Sequence, residues 1–311
     1  MTDVVLKAEG LAKTFHLGFF RKRVEAVRDV SFSVRRGEIF GFLGPNGAGK
    51  TTTLKMLMGL VFPGKGAIEV LGCPADDRRA KRRLGYLPET PYFYEYLSAE
   101  EFLDLAGALC DVPKALRRER ARQLIARVGL DHAKGRPLRK FSKGMLQRIG
   151  IAQALMGDPE LVVLDEPMTG LDPLGRKEIR DLMLDLRKEG RTVLYSTHIL
   201  PDVELTCDRV AMIFAGKTRN VGPLSELLTT RLLCTEVALR PGQGDLPALP
   251  AGASRQDAPD ATMVSLPEEA DVDAFLAETL RNGVHILSVT PRRESLEDLF
   301  VREAMVGKEA S

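Results

Sequence analysis

Cysteine is scarce in this chain: four in 311 residues, at Cys73, Cys110, Cys207 and Cys234. They lie far apart, no C-x-x-C pair occurs, and no two histidines stand at ligand spacing. A zinc-stapled fold is thereby excluded, and a reducing compartment fits. No stretch approaches the roughly eighteen consecutive apolar residues of a membrane-spanning helix. The opening "MTDVVLKAEG" has no apolar signal-peptide core. An excess of one charge is missing as well. Lys and Arg number 45 against 43 for Asp and Glu, a net of +2, which argues against nucleic acid as a partner on charge alone. The basic clusters "RKR" (21–23), "RRAKRR" (78–83) and "LRRERAR" (116–122) read as solvated helix faces. What is present is an ordinary globular composition, 44% apolar, and enough length for about two domains.

The strongest chemical signal is "EIFGFLGPNGAGKTTTLKMLMGL" (38–60). Ile39 to Leu43 read as a short buried strand and Lys50 to Leu60 as a helix. Between them, Gly44-Pro45-Asn46-Gly47-Ala48-Gly49-Lys50-Thr51 matches G-x-x-x-x-G-K-[ST] in the strand–loop–helix setting that the motif requires. Glycines let backbone N–H groups converge on phosphate oxygens, and the helix N-terminus adds its positive dipole end. Lys50 is placed to reach terminal phosphates, and Thr51 to offer its hydroxyl to Mg²⁺.

"ELVVLDEP" (160–167) is the complement. Leu161 to Leu164 form an apolar run that reads as a fully buried strand, with Asp165 and Glu166 at its end. Parallel α/β sheets bind ligands at the carboxyl ends of their strands. Asp165 therefore suits holding Mg²⁺, directly or through water, and Glu166 suits orienting or polarising the attacking water.

Five further segments narrow the choice. "FSKGMLQRIGIAQAL" (141–155) resembles the L-S-G-G-Q signature of ATP-binding cassette (ABC) ATPases. "TGLDP" (169–173) resembles their D-loop, "STHIL" (196–200) their switch-histidine loop, and "GYLPE" (85–89) their Q-loop. "LAKTF" (11–15) ends in Phe15, where this family stacks an aromatic ring on adenine. Order and spacing agree over residues 1 to about 230. The resemblance implies a P-loop NTPase of the α/β class, with a mixed β-sheet core and a helical subdomain over about 88–158. It implies ATP and Mg²⁺ as cofactors. Phe15, the loop from Gly44 to Thr51, Thr52 and Glu89 would contact nucleotide; Thr51, Asp165 and Glu89 would serve the metal; Glu166, His198 and Lys50 would carry catalysis. Ser142 and Gly144 of the signature would contact the ATP of an opposite cassette, and Asp172 would also contact nucleotide. Ser142 itself reads as a helix N-cap facing an anion. Each motif occurs once, so the resemblance implies a homodimer clamping two ATP.

Three positions depart from the common pattern. Glu89 replaces glutamine; its carboxylate can still coordinate Mg²⁺ or bond a water, but adds negative charge near triphosphate. Lys143 replaces a signature glycine and either points at phosphate or, the favoured reading, outward into solvent. Met145 replaces glutamine. Such departures resemble exporter-type cassettes that pair with separately encoded membrane subunits. The function expected is that of a peripheral ATPase on the cytoplasmic face of the membrane. The alternative is a soluble ABC ATPase acting on nucleic acid or ribosomes; those relatives usually carry coiled-coil or zinc insertions or two cassettes, and this sequence has none.

Residues 1–35 read as short strands around an insertion, "HLGFFRKRVEA". In the helical region Ser98 and Glu101 form a capping-box pattern, with Phe102, Leu105, Ala106 and Leu109 repeating behind it. A second domain is expected over 231–311, a small α+β unit ordered β-β-α-β-α, with 240–261 as loop. Three of five tyrosines crowd into "ETPYFYEYLS" (89–98). Tyr92, Phe93, Tyr94 and Tyr96 read either as an anchor for the membrane subunit, since aromatic residues dominate interface hot spots, or as rings packed inside the helical subdomain; a mixture is the easiest outcome.

Overall fold

The computed structural model describes residues 4–18, 22–228, 232–240 and 246–309. By its contacts the chain forms two compact units, one reaching Leu224 and including the segment from Arg302, the other covering Ser225–Val301.

The first unit is built on one sheet. In chain order its elements are β1 (Val4–Leu17), β2 (Lys22–Arg35), β3 (Ile39–Leu43), α1 (Lys50–Leu57), β4 (Lys65–Val70), β5 (Cys73–Pro74), α2 (Arg78–Lys81) and β6 (Leu84–Leu87). Then come α3 (Ala99–Leu109), α4 (Lys114–Arg127), α5 (Lys143–Leu155), β7 (Leu161–Asp165), α6 (Pro173–Lys188), β8 (Thr192–Thr197), α7 (Leu200–Thr206), β9 (Arg209–Phe214) and β10 (Lys217–Pro223). The strand order is β5-β4-β1-β2-β10-β9-β3-β8-β7-β6. The run β9-β3-β8-β7-β6 is parallel throughout. Every residue of β3, β7 and β8 is buried, as both faces of a parallel sheet require. Phe32 of β2 stacks at 5.5 Å on Phe40 of β3, tying the antiparallel strands to the same core.

Residues 4–35 differ from the expected short strands. β1 and β2 are 14 residues each and pair antiparallel from Val4↔Arg35 to Leu17↔Lys22. Most of "HLGFFRKRVEA" is strand; residues 19–21 lie outside the described set. Register shifts along the ribbon break the alternation that would have announced long strands.

The capping box at Ser98 is formed. Its hydroxyl accepts from the Glu101 N–H, while the Glu101 side chain accepts from the Ser98 N–H at 2.8 Å. The inward stripe of α3 is rotated from the expected one: Phe102, Leu103, Ala106 and Gly107 are buried, and Leu109 is exposed. Gly107 lies against α5's end, where a Cβ would come within 2.6 Å of the Met156 methyl. The bare glycine lets the helix approach that neighbour closely. Ser98→Ala should lower stability by about 1 kcal/mol, the usual worth of an N-cap, read as a downward shift of the urea midpoint.

After β10 come α8 (Leu224–Leu227), β11 (Leu232–Leu239), β12 (Ser254–Asp257), β13 (Thr262–Pro267), α9 (Val272–Arg281), β14 (Ile286–Arg293) and α10 (Leu296–Glu309), the second unit holding those from Ser225 to Val301. The sheet order is β12-β13-β11-β14, all antiparallel. Val237, Leu239, Val264, Leu266, Phe275 and Val284 make its core. β12 lies within the stretch expected to be loop. All four of its residues are exposed, so it carries no apolar alternation and exists by edge pairing with β13 alone.

Candidate functional site

β3 ends at Leu43 and α1 begins at Lys50, so residues 44–49 form a tight loop at the carboxyl edge of the parallel strands. Gly49 holds φ 104°, a left-handed value open to glycine, and a Cβ there would sit 2.5 Å from the Ala26 carbonyl. Gly44 is pressed equally close to the Ile213 carbonyl. The Ala48 carbonyl accepts from the Gly216 N–H at 3.0 Å, so β2 and the β9–β10 turn brace the loop from outside. Pro45, Asn46 and Gly47 form its exposed crest, and Thr51 and Thr52 are half-buried on the first helical turn. Lys50 is buried; its ammonium donates to Gly44 O at 2.6 Å and Pro45 O at 3.3 Å and pairs with Glu166 at 3.2 Å.

Asp165 closes β7 beside Ser196 of β8, its register partner, whose hydroxyl donates to Asp165 Oδ1 at 2.6 Å. The same hydroxyl accepts from the Glu166 N–H at 3.0 Å. Glu166 then leaves the strand at φ 50°, a left-handed value that a side-chain-bearing residue adopts only under constraint. Its carboxylate accepts from the Thr169 hydroxyl at 2.8 Å and lies 3.0 Å from His198 Nδ1. Burial pushes the Glu166 carboxyl up, but the bonds from His198 and Thr169 and the Lys50 charge outweigh it and hold it below the ordinary range. Asp165 moves the other way. Burial dominates, Glu89 and Glu166 add to it, and the Ser196 and Thr51 hydroxyls compensate only in part. Two adjacent carboxylates are thus driven apart: Glu166 is kept anionic, whereas no cation among the described residues compensates Asp165.

Thr51 Oγ1 donates to Glu89 Oε2 at 3.4 Å, joining the Q-loop-like segment to the phosphate loop. Phe15 lies on β1 opposite Val24, two residues before the Ala26 carbonyl that packs on Gly49; the Lys13 ammonium stands 5.4 Å from its ring centre. Ser142 caps α5, accepting from the Met145 N–H at 3.3 Å, and Asp172 caps α6, accepting from the Gly175 N–H at 2.8 Å. These two starts pack together, Lys143 over Gly170 and Gly144 near Leu171. Lys143 is exposed, and its chain runs along the D-loop-like segment. Among the described residues no hydrogen bond links Ser142, Gly144 or Asp172 to residues 44–51. The structure therefore gathers Lys50, Thr51, Glu89, Asp165, Glu166 and His198 into one place and builds the signature surface apart from it.

The aromatic segment divides. Tyr92 is 84% exposed, Tyr96 71% and Tyr94 43%, with ring centres about 6 Å apart along the series. Phe93 is buried, edge-on to Phe102 at 5.3 Å and close to Gly150 of α5.

Residues 27–169 match the family described as ABC transporter. An uncharacterized ABC transporter ATP-binding protein of Nostoc sp. is 42% identical over 306 residues, covering 97% of this chain and 90% of its own length. The chain belongs to the ABC transporter ATP-binding family. The Nod factor export ATP-binding protein I of Ralstonia nicotianae is 34% identical, covering 98% of this chain and 94% of that one. The linearmycin resistance ATP-binding protein of Bacillus subtilis is 33% identical, with 96% and 97% coverage. Among solved structures, an ATP-binding subunit of an ABC transporter superposes with a TM-score of 0.63 at 34% identity, over 72% of this chain and 91% of that one. A bacterial ABC transporter cassette solved as a dimer has the same fold, with a TM-score of 0.65 at 24% identity, over 70% of this chain and 98% of that one.

This ABC ATPase therefore binds and hydrolyses ATP as the nucleotide-driven subunit of a transporter. Two supporting residues of the site escaped the sequence reading, although each stood inside a quoted motif. Thr169 opens "TGLDP" and Ser196 opens "STHIL". Their hydroxyls fix the two carboxylates, but a hydroxyl's partner depends on strand register, which spacing along the chain does not reveal.

Proposed function

We propose that this ABC ATPase powers an exporter, working as a homodimer on the cytoplasmic face of a separately encoded multi-spanning membrane subunit. The observation that carries the chemistry is Glu166, anionic, turned out of its strand and bracketed by Lys50 and His198. In this reading Phe15 stacks on adenine and residues 44–52 cradle the phosphates. Glu166 takes the proton of the attacking water, and His198 holds the carboxylate in position. Ser142, Gly144 and Asp172 complete the site of a second copy, in line with the dimeric cassette of the same fold. The direction of transport follows the export and resistance names of the full-length relatives. Those names also disfavour action on nucleic acid or ribosomes.

The buried Asp165 Oδ2 has no hydrogen-bond partner among the described residues, which fits a cation. Thr51, Asp165 and Glu89 are the residues that would hold Mg²⁺. Among the described residues no three acidic, histidine or cysteine side chains make a closed metal site. An ion that keeps several waters and adds phosphate oxygens suits such a place. Bound Mg²⁺ would supply charge neutralisation at the phosphates.

No helix among the described residues is long and apolar enough to cross a membrane. The exposed face of Tyr92, Tyr94 and Tyr96 is the docking surface we assign to the membrane subunit. Single alanine substitutions there should leave the melting temperature of the isolated chain nearly unchanged. At least one should weaken co-purification with the membrane subunit by about 2 kcal/mol, the scale of an aromatic hot spot. Wild-type capture by all three variants would refute this surface.

A further inference from the structure

The Glu166 carboxylate is held by Lys50, Thr169 and His198. The His198 side chain is 41% exposed, so burial does not fix its place. The helix behind it does. α7 begins two residues after His198, and Ile199 gives it no side-chain cap. Asp202, in the first turn of α7, is 3% exposed. A carboxylate buried so deeply needs cations. Both come from α6. Arg180 donates to Asp202 Oδ1 at 2.5 Å, and the Arg176 guanidinium stands 3.9 Å from Oδ2. The two arginines are four residues apart and so share one face of α6. The far end of α7 is rooted on β8 instead. There the Tyr195 hydroxyl lies 2.7 Å from the Thr206 hydroxyl and accepts from the Cys207 thiol at 3.3 Å. The Arg176 N–H donates to the Asp172 carbonyl at 3.0 Å, so the arginine face starts one turn from the cap of α6. Thr169 lies three residues before that cap. Two partners of Glu166 are therefore referenced to the start of α6: Thr169 through the chain, and His198 through Asp202.

We propose that Asp202 is a positioning residue for ATP hydrolysis: gripped by Arg180 and Arg176, it sets His198 against Glu166 and makes that contact follow the start of α6. This rests on the reading above that His198 holds the Glu166 carboxylate. Asp202 Oδ2 and Arg176 Nε are buried and have no hydrogen-bond partner among the described residues. The grip is thus closed on the Arg180 side and open on the Arg176 side. Closing it from 3.9 Å to hydrogen-bond distance takes a shift of about 1 Å. Such a shift of α6 against α7 moves the segment that carries His198. A misplacement of about 1 Å from a change far from the chemistry can cost roughly 10²-fold in rate. The start of α6, with Asp172, is what the proposed dimer turns toward a second copy. The arginine–aspartate cluster therefore relays the seating of that copy to the carboxylate that activates water.

The test uses the full-length chain and two readouts, steady-state ATP hydrolysis and the ring-nitrogen resonances of ¹⁵N-labelled histidine. Four histidines occur in the chain, and the His198 signals are those missing from His198→Ala. Arg180→Met keeps the apolar stem, removes the charge and leaves Arg176 beside Asp202. It should lower kcat by roughly ten- to a hundredfold with KM for ATP changed less than about twofold, the pattern of a contact that matters in the transition state alone. Its His198 resonances should move toward those of Glu166→Ala, in which the carboxylate partner is gone. Arg180→Lys, which keeps the charge, should restore both. Melting curves establish which variants are folded. Should Arg180→Met fail to fold, Arg176→Met removes only the 3.9 Å partner and carries the same test, with a smaller fall in kcat. Wild-type kcat in the folded arginine variant, or a fall in kcat with unmoved His198 resonances, overturns the positioning role of Asp202 and leaves the role of His198 intact. Wild-type turnover in His198→Ala instead overturns the reading on which the proposal rests.

Discussion

Glu166→Gln is expected to slow steady-state ATP hydrolysis by roughly 10²- to 10⁴-fold, the range over which a positioned general base contributes. Nucleotide binding should survive. The amide keeps the shape of the carboxylate and can still accept from Thr169, and Lys50 keeps its bonds to Gly44 O and Pro45 O. What disappears is a carboxylate that its surroundings hold anionic at the edge of the phosphate loop. Binding without turnover should also trap the two-ATP dimer. Turnover under saturating ATP, equilibrium binding of a fluorescent nucleotide and gel filtration with ATP measure the three consequences. Near wild-type turnover would show that another group takes the proton.

Phe93→Ala is expected to lower folding stability by about 3–5 kcal/mol, the cost of emptying a buried aromatic site. Phe93 is 8% exposed and meets Phe102 of α3 edge-on at 5.3 Å. A Cβ added at Gly150 of α5 would lie 3.4 Å from the Phe93 ring, so the ring fills a space that two helices share. Its neighbours Tyr92 and Tyr94 have no such burial, and their alanine variants serve as internal controls. Urea unfolding of the isolated chain reads the difference directly. A Phe93→Ala midpoint equal to that of Tyr92→Ala would mean that the pocket collapses without cost, or that the ring is not buried in solution.

The two halves of the catalytic constellation were legible because local chemistry dictates them. The loop from Gly44 to Thr51 needs small residues at fixed intervals, and the buried strands β3 and β7 must be continuous apolar runs. The capping box at Ser98 was legible for the same reason, being complete within four residues. Features that depend on distant partners were not. The inward face of α3 depends on the neighbours it packs against, such as Met156 beside Gly107, and the length of β1 and β2 turns on their mutual pairing. The ion pair of Lys50 with Glu166 and the bond from Ser196 to Asp165 exist only once the strand order is known. In "YFYEY" the composition showed that rings cluster, but only packing against Phe102 and Gly150 singled out Phe93.

The bracing of the phosphate loop has a consequence for synthesis on the ribosome. Gly44 is shaped against the Ile213 carbonyl, and Ala48 is held by the Gly216 N–H, although these contacts lie about 170 residues apart along the chain. β8, which separates β3 from β7, also emerges late. At translation rates of about 5–20 residues per second, the loop waits roughly 8–35 s after its own synthesis before its outer supports exist. During that interval β3 is an unpaired apolar strand. The nascent chain thus exposes an apolar strand while it still lacks the geometry to be rescued by nucleotide, and a shielding chaperone is most useful between the emergence of Leu43 and that of Gly216.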